Sequence, residues 1–238
     1  MTRIDGRKEN ELRPVQMTVG FVDFAEGSVL IECGKTKVLC CASVEDRAPS
    51  HVPEGTGWVT AEYSMLPRAN RERSRRDVSR LKLSPRSAEI QRLIGRSLRA
   101  AVDMAALGER TITIDCDVIQ GDGGTRTASV TGGFVALAIA CRKLVEAGVI
   151  AKNPIRNYVA AVSAGIVEDT PLLDLCYVED SGAMVDLNCV MNDQGEIIEI
   201  QGTGEGRGFT VEEQRTLVDL CAGGIRQLIE KQTEILEG

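Results

Sequence analysis

The stretch TRTASVTGGFVALAIACRKLVEAG, residues 125–148, constrains this chain more than any other. Its apolar residues recur at helical spacing, and Gly148 closes it. It is apolar nearly all round, so it cannot lie on a surface and must form a central, buried helix. Gly121, Gly123 and Gly124 crowd directly ahead of it in QGDGGTRT. A helix N-terminus leaves backbone N–H groups without partners, and the helix dipole makes that end positive. Glycines there let an anion approach the backbone closely, and Arg126 adds a planar fork that can grip a phosphate. No Gly-Lys-Ser/Thr stands at the place a P-loop needs. The plain alternative is a glycine-rich turn beside a surface arginine.

Residues 15–45 alternate and are rich in Val and Thr, with breaks at Glu26-Gly27 and Gly34-Lys35, which predicts three antiparallel strands. A further strand is expected over 57–65, then a polar, mobile connection over 67–85. Ser84-Pro85 opens a helix, with Ser87 as a rival cap. Ile90, Leu93, Ile94, Leu98 and Ala101 form its buried face, while Arg92, Arg96 and Arg99 share another. TITIDCDVI, residues 111–119, reads as a strand. In the second half, strands are expected over 158–168, 172–179, 183–191 and 196–202. Thr210 and Glu213 form a capping box for the last helix. QGTGEGRG, residues 201–208, departs from the dinucleotide pattern and reads as a turn. Strands followed by a helix, twice, predict an α+β protein in two parts, 1–150 and 151–238.

Composition removes several chemistries. The single histidine, His51, lies in a loop-like stretch, so a triad would rest wholly on it. The 8 cysteines form no C-x-x-C pair and sit in apolar runs. They read as buried thiols in a reducing compartment rather than zinc ligands or disulfides. The charged N-terminus shows no secretory signal, and no uninterrupted apolar stretch approaches the roughly 18–20 residues of a membrane span. A cytoplasmic protein without membrane contact is expected. The net charge is −7, yet residues 68–99 hold eleven Lys/Arg against Glu72, Asp77 and Glu89. Arg68, Arg71, Arg73, Arg75 and Arg76 concentrate in RANRERSRR, a candidate patch for a polyanion, the alternative being a solvated charged face.

DLCYVEDSGAMVDLN, residues 174–188, carries Asp174, Glu179, Asp180 and Asp186. On one straight strand Asp180 and Asp186 would lie roughly 20 Å apart. The turn signal DSGA allows a hairpin that brings them together, with Asp174 a rival to Asp180. Two close ionised carboxylates need a cation, and hard oxygen ligands beside a phosphate suit Mg²⁺. Ordinary exposed acids on a hairpin are the alternative.

GWVTAEYSMLPRA, RSAEIQRLIGRSLRA, CDVIQGDGGTRTAS, VEDSGAMVDLN and EIQGTGEG together resemble the ribonuclease PH family over nearly the whole chain. The resemblance implies two related β-rich units with packed helices, assembled as a hexameric ring of dimers. It implies a reaction in which inorganic phosphate attacks the last phosphodiester of RNA and releases a nucleoside diphosphate, the reverse reaction extending RNA. It implies that Arg86, Gly124, Thr125 and Arg126 hold phosphate, that Asp180 and Asp186 serve Mg²⁺ (or Mn²⁺) and the chemistry, and that the arginines of 68–76 contact tRNA precursors. Phosphate is already a competent nucleophile, which accounts for a chain with one histidine. The rivals are a ring subunit that binds RNA without catalysis and a hydrolytic, Mg²⁺-dependent nuclease.

Overall fold

Two sheets hold the molecule together, and the central helix lies between them. The structure is a computed structural model that describes residues 3–76 and 83–238. Strands β1 (Val15–Val19), β2 (Gly27–Cys33), β3 (Thr36–Glu45), β4 (Trp58–Met65) and β5 (Thr111–Gln120) form the first sheet, in the order β1-β2-β3-β5-β4. β4 runs parallel to β5, and the other neighbours are antiparallel. Strands β6 (Val159–Val167), β7 (Thr170–Leu173), β8 (Val185–Asn192) and β9 (Ile197–Gly204) form the second, antiparallel sheet in the order β7-β6-β8-β9.

Helix α1 (Pro85–Ala100) starts where expected: Ser84 is the N-cap and its side chain accepts from the Ser87 N–H. Ser87 is thus a buried residue of the first turn and not the cap. Ile90, Leu93, Ile94, Leu98 and Ala101 are buried against the first sheet. A short helix α2 (Met104–Leu107) follows, capped by Asp103.

Helix α3 (Thr125–Glu146) is the central helix. By length and composition it could cross a membrane, but 78% of its most apolar part is buried inside the protein. It packs on β2, β3 and β5 of one sheet and on β6 of the other. Gly27 is required at one close approach, because a Cβ there would stand 2.0 Å from the Ala136 carbonyl oxygen. Helix α5 (Val211–Glu237) starts with the expected Thr210/Glu213 capping box. Its buried Gln232 donates to the carbonyls of Thr131 and Val159, which ties α5 to α3 and β6. Seven of the eight free cysteines are buried, and Cys41 is half-buried.

Three expectations need correction. The strand expected over 172–179 ends at Leu173, and Tyr177–Ser181 is a short helix, α4, with Cys176 as its N-cap and Glu179 accepting from the Cys176 N–H. Nor do the chain segments around DSGA form a hairpin: β7 and β8 pair with opposite edges of β6. Asp174 takes a left-handed φ of 53° where β7 ends, which turns the chain off the sheet into α4. The glycine cluster at 201–208 is only half a turn, since β9 runs through Gly204. Of the 67–85 connection, residues 77–82, with Arg80 and Lys82, lie outside the described residues.

Candidate active site

The glycine run forms a tight turn. Gly123 and Gly124 have φ of 79° and 64°, the left-handed region that disfavours side chains. A Cβ on Gly123 would meet the Leu175 carbonyl at 2.5 Å, so the turn packs directly on the residues leading into α4. Gly124 is the N-cap of α3 and supplies no side-chain cap. Among the described residues, no hydrogen bond engages the N–H groups of Gly123, Gly124, Thr125 or Arg126. Four donors at the positive end of a 22-residue helix are thus open to an anion.

Side chains from three elements complete the cradle. The Thr125 hydroxyl is 2.8 Å from the buried Tyr63 hydroxyl of β4. Arg126 donates from Nη1 to Gln201 Oε1 on β9 at 2.9 Å and to Glu89 Oε1 on α1 at 3.3 Å. Those contacts orient the guanidinium without using Nε or Nη2. Arg86 is exposed in the first turn of α1. The charges of Arg86 and Arg126 act on both the Tyr63 phenol and the Asp180 carboxyl, so the two arginines converge on one place.

The carboxylate pair meets without a hairpin. Asp180 comes from α4 and Asp186 from β8, where Asn188 two residues on donates to Asp186 Oδ2 at 3.2 Å. Burial pushes Asp186 up to about 6, and the Asp180 charge adds to it. Burial raises Asp180 as well, against the pull of Arg86, Arg126 and Arg13. Two half-buried carboxylates with raised values are a site short of positive charge, and a hard divalent cation fits that donor set. Among the described residues there is no cluster of three or more metal-ligating side chains, so any cation would rest on this pair and on the substrate.

Asp174, the rival, is engaged by an arginine behind the glycine turn instead. It is buried and paired with Arg13, Nη2 to Oδ1 at 2.6 Å, and burial, which would raise its value, is outweighed by the Arg13 charge. Arg68, Arg71, Arg73, Arg75 and Arg76 are all exposed. Their segment is closer to the cradle than its place in the sequence implies. The Ala69 carbonyl accepts from the Gly121 N–H at 2.9 Å, and Arg75 and Arg86 line one cavity of about 170 Å³ with Tyr63 and Asn70. Tyr63, Gln201, Glu89 and Asn188 escaped the sequence reading. Only Asn188 left a signal, being two residues from Asp186 on one strand face.

The same architecture occurs in solved structures of other proteins. Rice (Oryza sativa) Rrp46 superposes with a TM-score of 0.80 at 17% identity, covering 98% of this chain and 100% of that one. The Archaeoglobus fulgidus exosome with RNA bound to the active site gives 0.80 at 23% identity, covering 96% and 92%. Residues 11–143 match domain 1 of the 3′ exoribonuclease family, and residues 157–220 match its domain 2. Fold and paired domains thus define the class as that of the 3′ exoribonucleases. Ribonuclease PH of Dehalococcoides mccartyi is 56% identical over 238 residues, covering 100% of this chain and 99% of that protein. Ribonuclease PH of Solibacter usitatus is 55% identical over 237 residues, covering 99% and 100%. The chain belongs to the ribonuclease PH family.

Proposed function

We infer that the chain is a phosphorolytic 3′→5′ exoribonuclease that trims the 3′ ends of tRNA and rRNA precursors. The observation that carries this reading is the open, arginine-flanked N-terminus of α3 beside a carboxylate pair. A hydrolytic nuclease could use the carboxylates but would have no use for a second anion cradle. A ring subunit without catalysis would not need Arg126, Asp180 and Asp186 gathered at one site.

In this reading the α3 N–H groups, Thr125, Arg126 and Arg86 hold inorganic phosphate. One of its oxygens forms a bond to the terminal phosphorus of the RNA while the bond from phosphorus to the neighbouring 3′ oxygen breaks. The shortened RNA leaves with that oxygen, which takes up a proton, and the last nucleotide departs as its diphosphate. The work of the site is to align the phosphate and offset charge on the transferring group, and fixed arginines and amides do this without reorganising. Asp180 and Asp186 would hold Mg²⁺ (or Mn²⁺), which supplies further positive charge to the phosphate oxygens. Tyr63 orients Thr125, and Gln201 with Glu89 orients Arg126. The exposed arginines of 68–76 would take the RNA body.

We also take residues 1–150 as a unit bearing the cradle and 151–238 as one bearing the carboxylates, a division supported by family matches that end at 143 and resume at 157. A homohexameric trimer of dimers and a cytoplasmic setting complete the reading, the latter supported by eight free cysteines. The test is product analysis with RNA and Mg²⁺, with and without phosphate. Nucleoside diphosphates formed only with phosphate are expected. Monophosphates formed in phosphate-free buffer would overturn the proposal.

A further inference from the structure

The two left-handed glycines that open the cradle also endanger it. Peptide units flanking glycines rotate easily, and a rotated unit would turn a carbonyl oxygen toward the anion in place of an N–H. A cradle of this kind works only if its carbonyls are fastened elsewhere.

They are fastened by residues distant in sequence. Arg13 is buried, with 4% of its side chain exposed. Its Nη1 donates to the Asp122 carbonyl at 2.7 Å, and the Tyr177 N–H reaches the same oxygen at 3.1 Å. The Thr36 hydroxyl donates to the Gly123 carbonyl at 2.7 Å and accepts from the Asp122 N–H at 2.9 Å. Arg13 is itself immobilised: Nε and Nη2 donate to Asp174 Oδ2 and Oδ1 at 3.0 and 2.6 Å, and its backbone N–H donates to Oδ2 at 2.8 Å. Asp174 is anchored in turn by its N–H to the Ser163 carbonyl on β6 at 2.7 Å. The first sheet, the second sheet and the N-terminal segment thus meet on one three-residue turn.

We propose that Arg13 and Thr36 are positioning residues for phosphate, holding the Asp122 and Gly123 carbonyls inward so that the N–H groups of the same two peptide units, those of Gly123 and Gly124, face the anion. The inference rests on the phosphate-cradle reading above. Neither side chain would touch phosphate. Arg13 must be an arginine because its task is divided: one edge of the guanidinium meets Asp174 and the remaining amino group meets Asp122. A lysine has one nitrogen and can keep the ion pair but not both contacts.

The experiment is calorimetric titration of the full-length protein with inorganic phosphate in Mg²⁺, without RNA, together with thermal unfolding and phosphate-dependent kinetics. Arg13→Lys should keep most of its thermal stability yet bind phosphate about tenfold more weakly. KM for phosphate should rise in proportion, while kcat at saturating phosphate should change little. Thr36→Val removes only the hydroxyl clamp, and it should show the same split even if Arg13→Lys fails to fold. Folded variants that bind phosphate as tightly as the parent would overturn the positioning role and leave the cradle standing. A parent that does not bind phosphate at all would overturn both readings.

Discussion

Gln201 on β9 accepts a 2.9 Å hydrogen bond from Arg126 at the head of α3, so a residue of the second sheet sets the direction of an arginine on the central helix. The contact is charge-assisted, and losing it should cost about 1.5–3 kcal/mol. Gln201→Ala is expected to raise KM for phosphate about tenfold with little change in RNA affinity. Arg126→Ala should have a larger effect of the same kind. Phosphate titrations of RNA degradation, set beside RNA binding by fluorescence anisotropy, check both. An unchanged KM in either variant would remove that residue from the cradle.

Asp180→Asn and Asp186→Asn should each nearly abolish turnover while leaving the fold intact. Each change removes one of two charges that would hold the cation, and burial already disfavours the ionised form of both carboxyls, so an amide in their place is expected to be tolerated by the fold. Turnover and far-ultraviolet circular dichroism of the two variants provide the check. Turnover near the parent rate in either one would take that residue out of the chemistry.

Asp174→Asn should damage the fold, in contrast to what an exposed hairpin acid would do. It leaves Arg13, which is buried, without its partner, a change that costs about 3–5 kcal/mol. The same cluster sets an acid limit. Asp174 and Glu179 are held below their ordinary values of 3.8 and 4.5, burial being outweighed by Arg13 for one and by Arg3 for the other. A depressed carboxyl contributes stability above its unfolded value and loses it as pH falls through the folded value. Unfolding free energy should therefore drop as pH falls below about 4.5, and Asp174→Asn should flatten that decline. Denaturant melts from pH 7 to pH 3 measure it.

Arg71→Ala and Arg73→Ala together should lower the slope of log affinity against log salt by up to about 2 for a structured tRNA precursor, one unit per phosphate released from contact. A short single-stranded RNA should be turned over almost as before. Arg75→Ala should differ, because Arg75 shares a cavity with Arg86, and it should impair both substrates. Equal losses from all three changes would mean that the whole segment shapes the active centre.

The local elements were legible in the sequence because local forces dictate them. The all-round apolar pattern of 125–148, the Ser84-Pro85 start and the Thr210/Glu213 box each depend on residues within a few turns. The candidate anion site was legible for the same reason, since a helix N-terminus and its glycines are contiguous. What only the tertiary structure decided was how distant groups meet. Asp180 and Asp186 come together because β7 and β8 flank β6 and α4 crosses between them, which no hairpin rule could supply. In the sequence Asp174 stands as a candidate ligand because its buried partner, Arg13, lies 161 residues away. Gln201 and Thr36 gained their roles in the same way. A hydrogen bond or ion pair between remote segments depends on packing two sheets around one helix, and no local pattern of residues encodes that distance.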